Sequence, residues 1–196
     1  MTYREAFLYG ERLLAQNGIS DAETDARLLL FFAAEIDGNA YYMQMQKELP
    51  QEKKTAYDAM LRRRANRIPL QHITGEQEFM GLRFLVSEHA LIPRQDTEIL
   101  VEEALKRVKP GMRVLDMCTG SGCIITSIVK YAPSVCGVAA DLSPHALSLA
   151  RENARLNGVT VEFVQSDLFA EISGSFDMIV SNPPYIPTGE IAGLAP

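Results

Sequence analysis

Cations are in short supply in this chain. Lys and Arg number 19 against 25 Asp and Glu, so the net charge is 19 − 25 = −6. A protein that coats a nucleic-acid duplex needs clustered cations to neutralise phosphate, so direct DNA binding is not expected, although a local basic patch stays open. Only three cysteines occur, Cys118, Cys123 and Cys136. Their spacing matches no paired zinc signature, and an odd count in apolar settings reads as reduced, buried thiols. No apolar run approaches the length that spans a bilayer, so no membrane partner is expected. The amino end, MTYREAFLYGERLL, is charged and amphipathic, unlike a signal peptide. Internal repeats and low-complexity tracts are lacking. The three histidines, His72, His89 and His145, are scattered and read as surface or satisfied side chains. These absences leave a soluble, cytoplasmic globular protein with no metal site expected.

What is present is a chain of 196 residues, 47% hydrophobic, enough for one substantial core or a full domain plus a small one. The first 72 residues read as a helical bundle. Thr2 and Glu5 form a capping-box pattern, with Ala6, Tyr9 and Leu13 on one face and Gly18 beyond the end. Ser20 and Glu23 repeat the device ahead of Ala26, Leu29, Leu30 and Ala33, and Asp37-Gly38 comes next. Pro50 suits the start of a further helix that must end before Pro69. The period then changes. In ITGEQEFMGLRFLVS the strand-like residues flank Met80-Gly81, which predicts a β-hairpin connecting the two parts over 73–92. From 93 to 196 strand and helix alternate. A helix from Asp96 to about Val108 precedes the strand MRVLDM. A helix from Ser121 to Tyr131 precedes VCGVAAD. A helix capped by Ser143-Pro144 and ended by Asn157-Gly158 precedes VTVEFVQ, and FDMIV is the fourth strand. This alternation predicts an α/β fold with a parallel sheet and right-handed crossovers.

In such sheets ligands sit beyond the carboxyl ends of the strands. After the first strand, Cys118, Thr119, Gly120, Ser121 and Gly122 form a turn in which glycines allow close ligand approach. No Gly-Lys-Ser/Thr comes after it, which excludes a P-loop. After the second strand comes Asp141, 25 residues beyond Asp116, where nucleotide-type folds hold ribose hydroxyls with an acid; the plain alternative is an exposed Asp near a helix cap. After the third come Asp167 and Leu168, suited to an adenine amine and ring face, or else to a solvated turn with a core Leu. After the fourth, Asn182-Pro183-Pro184-Tyr185 could be no more than an Asx turn.

Together, and in this order and spacing, LDMCTGSG, AADLSPHAL, SDLF and SNPPYIP resemble an S-adenosylmethionine-dependent class I methyltransferase with a Rossmann-like sheet. The helical front end, IPLQHITGEQEF and LIPRQDTEILVE extend the resemblance to the HemK/PrmC-type peptide-chain-release-factor glutamine methyltransferases, over essentially the whole chain. Two departures stand out. The family's glycine turn usually begins with Gly where this chain has Cys118; a positive φ there would strain Cys by about 1 kcal/mol or more, whereas Cys is tolerated if only backbone meets the cofactor, and tolerance is the expectation. Family members also continue past the four strands found here to a seven-stranded sheet. The sheet is therefore expected to be incomplete, the chain a piece of a longer one, and the FDMIV edge unpaired and apolar.

The resemblance implies the chemistry. A carboxamide nitrogen is a poor nucleophile because its lone pair is delocalised into the carbonyl. The site must hold the NH2 with two acceptors so that the lone pair faces the sulfonium methyl. The resemblance assigns those acceptors to the Asn182 side-chain oxygen and the Pro183 carbonyl. Pro183 and Pro184 then restrict the backbone, and Tyr185 packs over the flat amide. Cofactor contacts fall by the same resemblance to residues 118–122, Asp141, Asp167, Leu168 and Asn182. Arg94 lies near the site or in a surface salt bridge. The implied substrate is a glutamine in the Gly-Gly-Gln loop of peptide chain release factors, with residues 1–72 as the recognition domain. RRRANR, 62–67, reads as a solvated helix face, or as a surface meeting nucleic acid on a ribosome or an acidic partner. A ribosomal-protein glutamine methyltransferase, an adenine-specific nucleic-acid methyltransferase and a non-catalytic binding fragment are the competing readings.

Overall fold

A computed structural model describes residues 1–183. The chain divides into two compact units, residues 1–74 and a second from Gly75 onward. Pro184 and Tyr185 of the motif lie outside the described residues.

The first unit contains α1 (Tyr3–Gln16), α2 (Ala22–Ala34), α3 (Gly38–Gln44), α4 (Gln51–Ala65) and α5 (Leu70–Thr74). The capping box at Thr2 and Glu5 forms in both directions, satisfying two backbone donors that a helix start leaves open. The buried stripe of α1 is Tyr3, Ala6, Gly10 and Leu14, one residue off the expected Ala6, Tyr9 and Leu13; Tyr9 faces solvent. Gly10 sets this offset. A Cβ there would stand 1.9 Å from the Tyr57 hydroxyl, so only glycine lets α4 approach. Tyr57 is fully buried and donates to the Ala26 carbonyl at 3.0 Å, tying α4 to α2.

Two other expectations differ from the structure of this unit. Ser20 and Glu23 do not cap α2. Asp21 occupies the cap position without a side-chain bond, and Ser20 instead donates to the Asp21 carboxylate. Helix α2 stops at Glu35 in the left-handed region (φ 55°), and Asp37 caps α3 by accepting from the Ala40 N–H. The arginines of RRRANR are not simply solvated. Arg64 pairs with Asp25 at 2.6 Å, Arg63 donates to the His72 carbonyl, and Arg67 donates to the Asn17 carbonyl. Three of the four are thus used to hold the bundle, and a shared basic face for nucleic acid is correspondingly reduced.

The second unit opens with the antiparallel hairpin β1 (Glu76–Phe79) and β2 (Leu82–Leu85). Met80 (φ 52°) and Gly81 (φ 68°) form its two-residue loop with both φ positive, the turn whose twist matches the strands. Then come α6 (Asp96–Leu105), β3 (Arg113–Met117), α7 (Cys123–Tyr131), β4 (Cys136–Asp141), α8 (Pro144–Leu156), β5 (Val161–Gln165) and β6 (Met178–Ser181). The four long-range strands pair in parallel in the order β5-β4-β3-β6. Helix α7 is buried over seven consecutive residues, Cys123 to Val129, as a helix enclosed by β3, β4, α6 and α8 must be. The chain runs outward from β3 to β5 and then returns to the other side of β3. The switch point of the sheet therefore lies between the carboxyl ends of β3 and β6. Among the described residues β6 pairs only with β3, and Ile179 is exposed on it.

Candidate methyl-transfer site

The register brings the expected residues to one edge. Met117 pairs with Ala140 on one side and with Ser181 on the other, and Asp141 pairs with Gln165. The residues just beyond the strands, Cys118, Leu142, Ser166 and Asn182, therefore emerge at one level of the sheet.

The first turn is built by its neighbours. Gly122 (φ 76°) caps α7, and a Cβ there would lie 2.9 Å from the Ala150 Cβ and 3.1 Å from the Ala150 Cα, so glycine permits both the conformation and the packing against α8. Gly120 (φ 54°) points into open space, where a Cβ would meet nothing nearer than Ala90 at 3.9 Å. Ser121 and Thr119 are buried, and Thr119 donates to Asp116 Oδ2 at 2.6 Å. Cys118 departs from the expected tolerance. Its φ is 60°, the left-handed region that an L side chain enters at a cost of about 1 kcal/mol or more. Its thiol is half-buried, and burial raises its pKa. Cys123 is buried, with its thiol pushed up to about 12 by desolvation, while Cys136 is exposed, contrary to the expectation of three buried thiols. Cys118→Gly should raise the free energy of unfolding by about 1 kcal/mol, read from urea denaturation. A loss of stability would show that thiol packing outweighs the backbone strain.

Asp141 has a partner for each carboxylate oxygen. Oδ2 accepts from the Gly120 N–H at 2.9 Å and Oδ1 from the Ser143 N–H at 2.9 Å. It thus joins the glycine turn to the start of α8, and each oxygen retains a lone pair. Asp167 and Leu168 are exposed at the next turn. That turn is shaped by buried Ser166, which donates to the Leu168 carbonyl at 2.6 Å and accepts from the Glu171 N–H. Leu168 has φ 49° and is exposed rather than in the core.

At the fourth strand end, Ser181 donates to the Met117 carbonyl at 2.6 Å, closing β6 onto β3. Asn182 comes next, with its Nδ2 donating to the Thr97 hydroxyl at 3.2 Å. Thr97 is buried in the first turn of α6, and its N–H bonds to the Arg94 carbonyl. Because Nδ2 is committed to Thr97, the Asn182 Oδ1 remains as an acceptor. Pro183 is exposed beside it. Arg94 is exposed, and no ion pair among the described residues involves it, so the surface salt bridge does not form there.

Two features escaped sequence reasoning. Thr97 lies within LIPRQDTEILVE, but a threonine in a first helical turn is ordinary and nothing local marks it as a partner of Asn182. Asp116, in the strand before the glycine turn, carries no sequence signal of its own. It is fully buried, and burial pushes its carboxyl up to about 7. The Thr119 bond opposes that rise, as does the Ile125 N–H from a position short of hydrogen-bond geometry; the Asp141 charge adds to it. Its Oδ1 has no hydrogen-bond partner. Because the folded value lies above the unfolded one, Asp116 contributes stability at low pH that is lost as pH rises from about 4 to about 7. Urea unfolding across that window should show a downward slope that Asp116→Asn removes. An unchanged slope would exclude Asp116 as its source. The histidines are less scattered than expected, for the rings of His89 and His145 stack with centroids 4.6 Å apart.

The donor set suits S-adenosylmethionine. An open glycine, a carboxylate with spare lone pairs and an exposed Leu168 face lie at adjoining strand ends.

Comparison with known proteins identifies the family. Residues 5–75 match the PrmC N-terminal domain and residues 94–192 the methyltransferase small domain. The chain is 41% identical over 196 residues to a release factor glutamine methyltransferase of Geobacter sulfurreducens, covering 100% of this chain and 69% of that protein. It is 43% identical over 200 residues to the protein of that name from Deinococcus radiodurans, covering 100% and 71%. A third, from Moorella thermoacetica, is 40% identical over 199 residues, covering 99% and 70%. A helical front unit, a switch-point site and whole-chain identity at this level lead to one conclusion: the chain belongs to the release factor glutamine methyltransferase family.

Proposed function

We propose that this protein transfers a methyl group from S-adenosylmethionine to the side-chain amide nitrogen of a glutamine, the substrate being the Gly-Gly-Gln loop of peptide chain release factors. The observation that carries the reading is Asn182 at the switch point, its amide nitrogen tied to Thr97 and its oxygen left as an acceptor. An amide NH2 held by that oxygen and by the Pro183 carbonyl has both its hydrogens occupied, which fixes its plane and so the direction of the lone pair perpendicular to it; the N–C bond would form as the S–CH3 bond breaks, leaving a neutral thioether, with one N–H proton passing to solvent. The cofactor supplies an electrophilic methyl on a sulfonium sulfur. Residues 118–122 and Asp141 hold its methionine and ribose parts, and Asp167 and Leu168 its adenine. Pro184 and Tyr185 would complete the substrate clamp.

On this reading residues 1–72 recognise substrate, 73–92 connect, and 93–196 bind cofactor. Tyr42 and Met43 on α3 are exposed apolar side chains, 69% and 85% accessible, and offer a docking face. Tyr42→Ala with Met43→Asp should raise KM for the protein substrate severalfold and leave the cofactor Kd unchanged; equal effects on both would refute the assignment. The cytoplasm, near ribosomes, is the proposed place of action. Among the described residues no helix is long and apolar enough to cross a membrane.

The decisive experiment supplies methyl-labelled S-adenosylmethionine with release factor, with ribosomal proteins and with DNA. Label on the release factor, lost when its Gly-Gly-Gln glutamine is replaced, supports the reading. Label on ribosomal protein or DNA alone overturns it.

A further inference from the structure

Asn153 is a polar side chain with no exposure at all, in the last turn of α8. Asparagine within a helix is unfavourable by propensity, and a buried carboxamide is costly unless its partners are supplied. All three partners found for it lie on other elements. Its Oδ1 accepts from the Leu85 N–H at 2.7 Å, and its Nδ2 donates to the Leu85 carbonyl at 3.0 Å. Both main-chain groups of one β2 residue are thus met by one side chain, as a neighbouring strand would meet them. The same Nδ2 donates its second hydrogen to the Ser121 carbonyl at 2.9 Å. One amide therefore joins the hairpin to the glycine turn, and Ala150, one helical turn earlier, packs under Gly122 in that same turn.

Asn157, the residue that caps the carboxyl end of α8, provides an internal comparison four residues on. It donates to the Arg83 carbonyl at 2.9 Å and to the Asn153 carbonyl at 2.9 Å. Asn157 holds the hairpin alone, whereas Asn153 holds the hairpin and the turn together.

We propose that Asn153 is a positioning residue that couples cofactor binding at the 118–122 turn to the order of the β1–β2 hairpin, the segment directly after the helical unit in the chain. The physical basis is shared satisfaction. A cofactor that fixes the Ser121 peptide fixes the carboxamide plane, and a fixed carboxamide presents its oxygen to the Leu85 N–H at full geometry. Coupling of this kind is reciprocal, so a hairpin ordered by bound protein substrate also favours the cofactor-ready turn. The proposal rests on the cofactor reading of that turn.

The test measures amide hydrogen exchange with and without S-adenosylmethionine, whose binding is verified by calorimetry. In the unmutated protein the Leu85 amide should exchange at least about tenfold more slowly with cofactor bound. Asn153→Ala should abolish that slowing and raise the cofactor Kd about tenfold. Protection of the Leu115 and Val138 amides in the sheet should persist, showing that the fold survives. Asn157→Ala should loosen the hairpin and, with the Asn153 link to the turn intact, raise the cofactor Kd by clearly less than the Asn153 variant does. Binding without slowing at Leu85, or an Asn157 variant as impaired in cofactor affinity as the Asn153 one, overturns the coupling. Should Asn153→Ala not fold, the measurement on the unmutated protein decides alone. Absence of binding heat overturns the cofactor reading, and the coupling with it.

Discussion

Asn182→Ala should lower kcat/KM for methyl transfer by about a thousandfold, near 4 kcal/mol, while changing the cofactor Kd by less than about threefold. The carboxamide oxygen is the acceptor that orients the substrate nitrogen, and the transition state needs that orientation more than the ground state does. Its direction is set by the 3.2 Å bond from Nδ2 to Thr97. Thr97→Val, which removes only this anchor, should cost about tenfold, as one ordinary hydrogen bond does. Asn182→Asp keeps an acceptor and lets the Thr97 hydroxyl donate instead, so its rate should fall between those of wild type and the alanine variant. Steady-state kinetics with labelled cofactor checks all three. If the alanine variant keeps more than about a tenth of wild-type kcat, Asn182 is a turn former and the clamp lies elsewhere.

Asp141→Ala should raise the Kd for S-adenosylmethionine by about 30- to 100-fold, or about 2–3 kcal/mol. Two effects combine. The carboxylate is the anionic acceptor proposed for the ribose, and such charge-assisted bonds are stronger than neutral ones. The same carboxylate also fastens the Gly120 N–H and the Ser143 N–H, each at 2.9 Å, so its removal frees the turn that the methionine part must meet. Asp141→Asn retains one acceptor oxygen but turns an NH2 toward one of those amides, and should give an intermediate Kd. Isothermal titration separates this from a catalytic effect. A Kd within about threefold of wild type would remove Asp141 from the binding site.

Much of this was legible in the sequence, for reasons that differ by element. Met80-Gly81 announces its hairpin because few residue pairs take two positive φ angles in succession. Thr2 and Glu5 announce α1 because both halves of the capping box lie within four residues. Local signals also misled where two competed. Asp21 displaced Ser20 at the start of α2, and Asp37, which resembles part of a turn, begins α3. The one-residue rotation of α1 came from the Tyr57 hydroxyl above Gly10, 47 residues away in the chain, and no local pattern encodes such a contact.

The sequence by itself determined the alternation of strand and helix, the glycine turn, the acid after β4 and the Asn-Pro-Pro-Tyr after β6. Those features depend on backbone permission and periodicity, which act over a few residues. Only the tertiary structure decided that β6 returns to the far side of β3, and so that Asn182 stands beside the Cys118 turn. It also decided that Thr97 aims the Asn182 amide, that Asp116 titrates near neutrality, and that Asn153 spans the hairpin and the turn. Each of these depends on desolvation or hydrogen bonding between residues tens of positions apart, whose partners are settled only when the chain is packed.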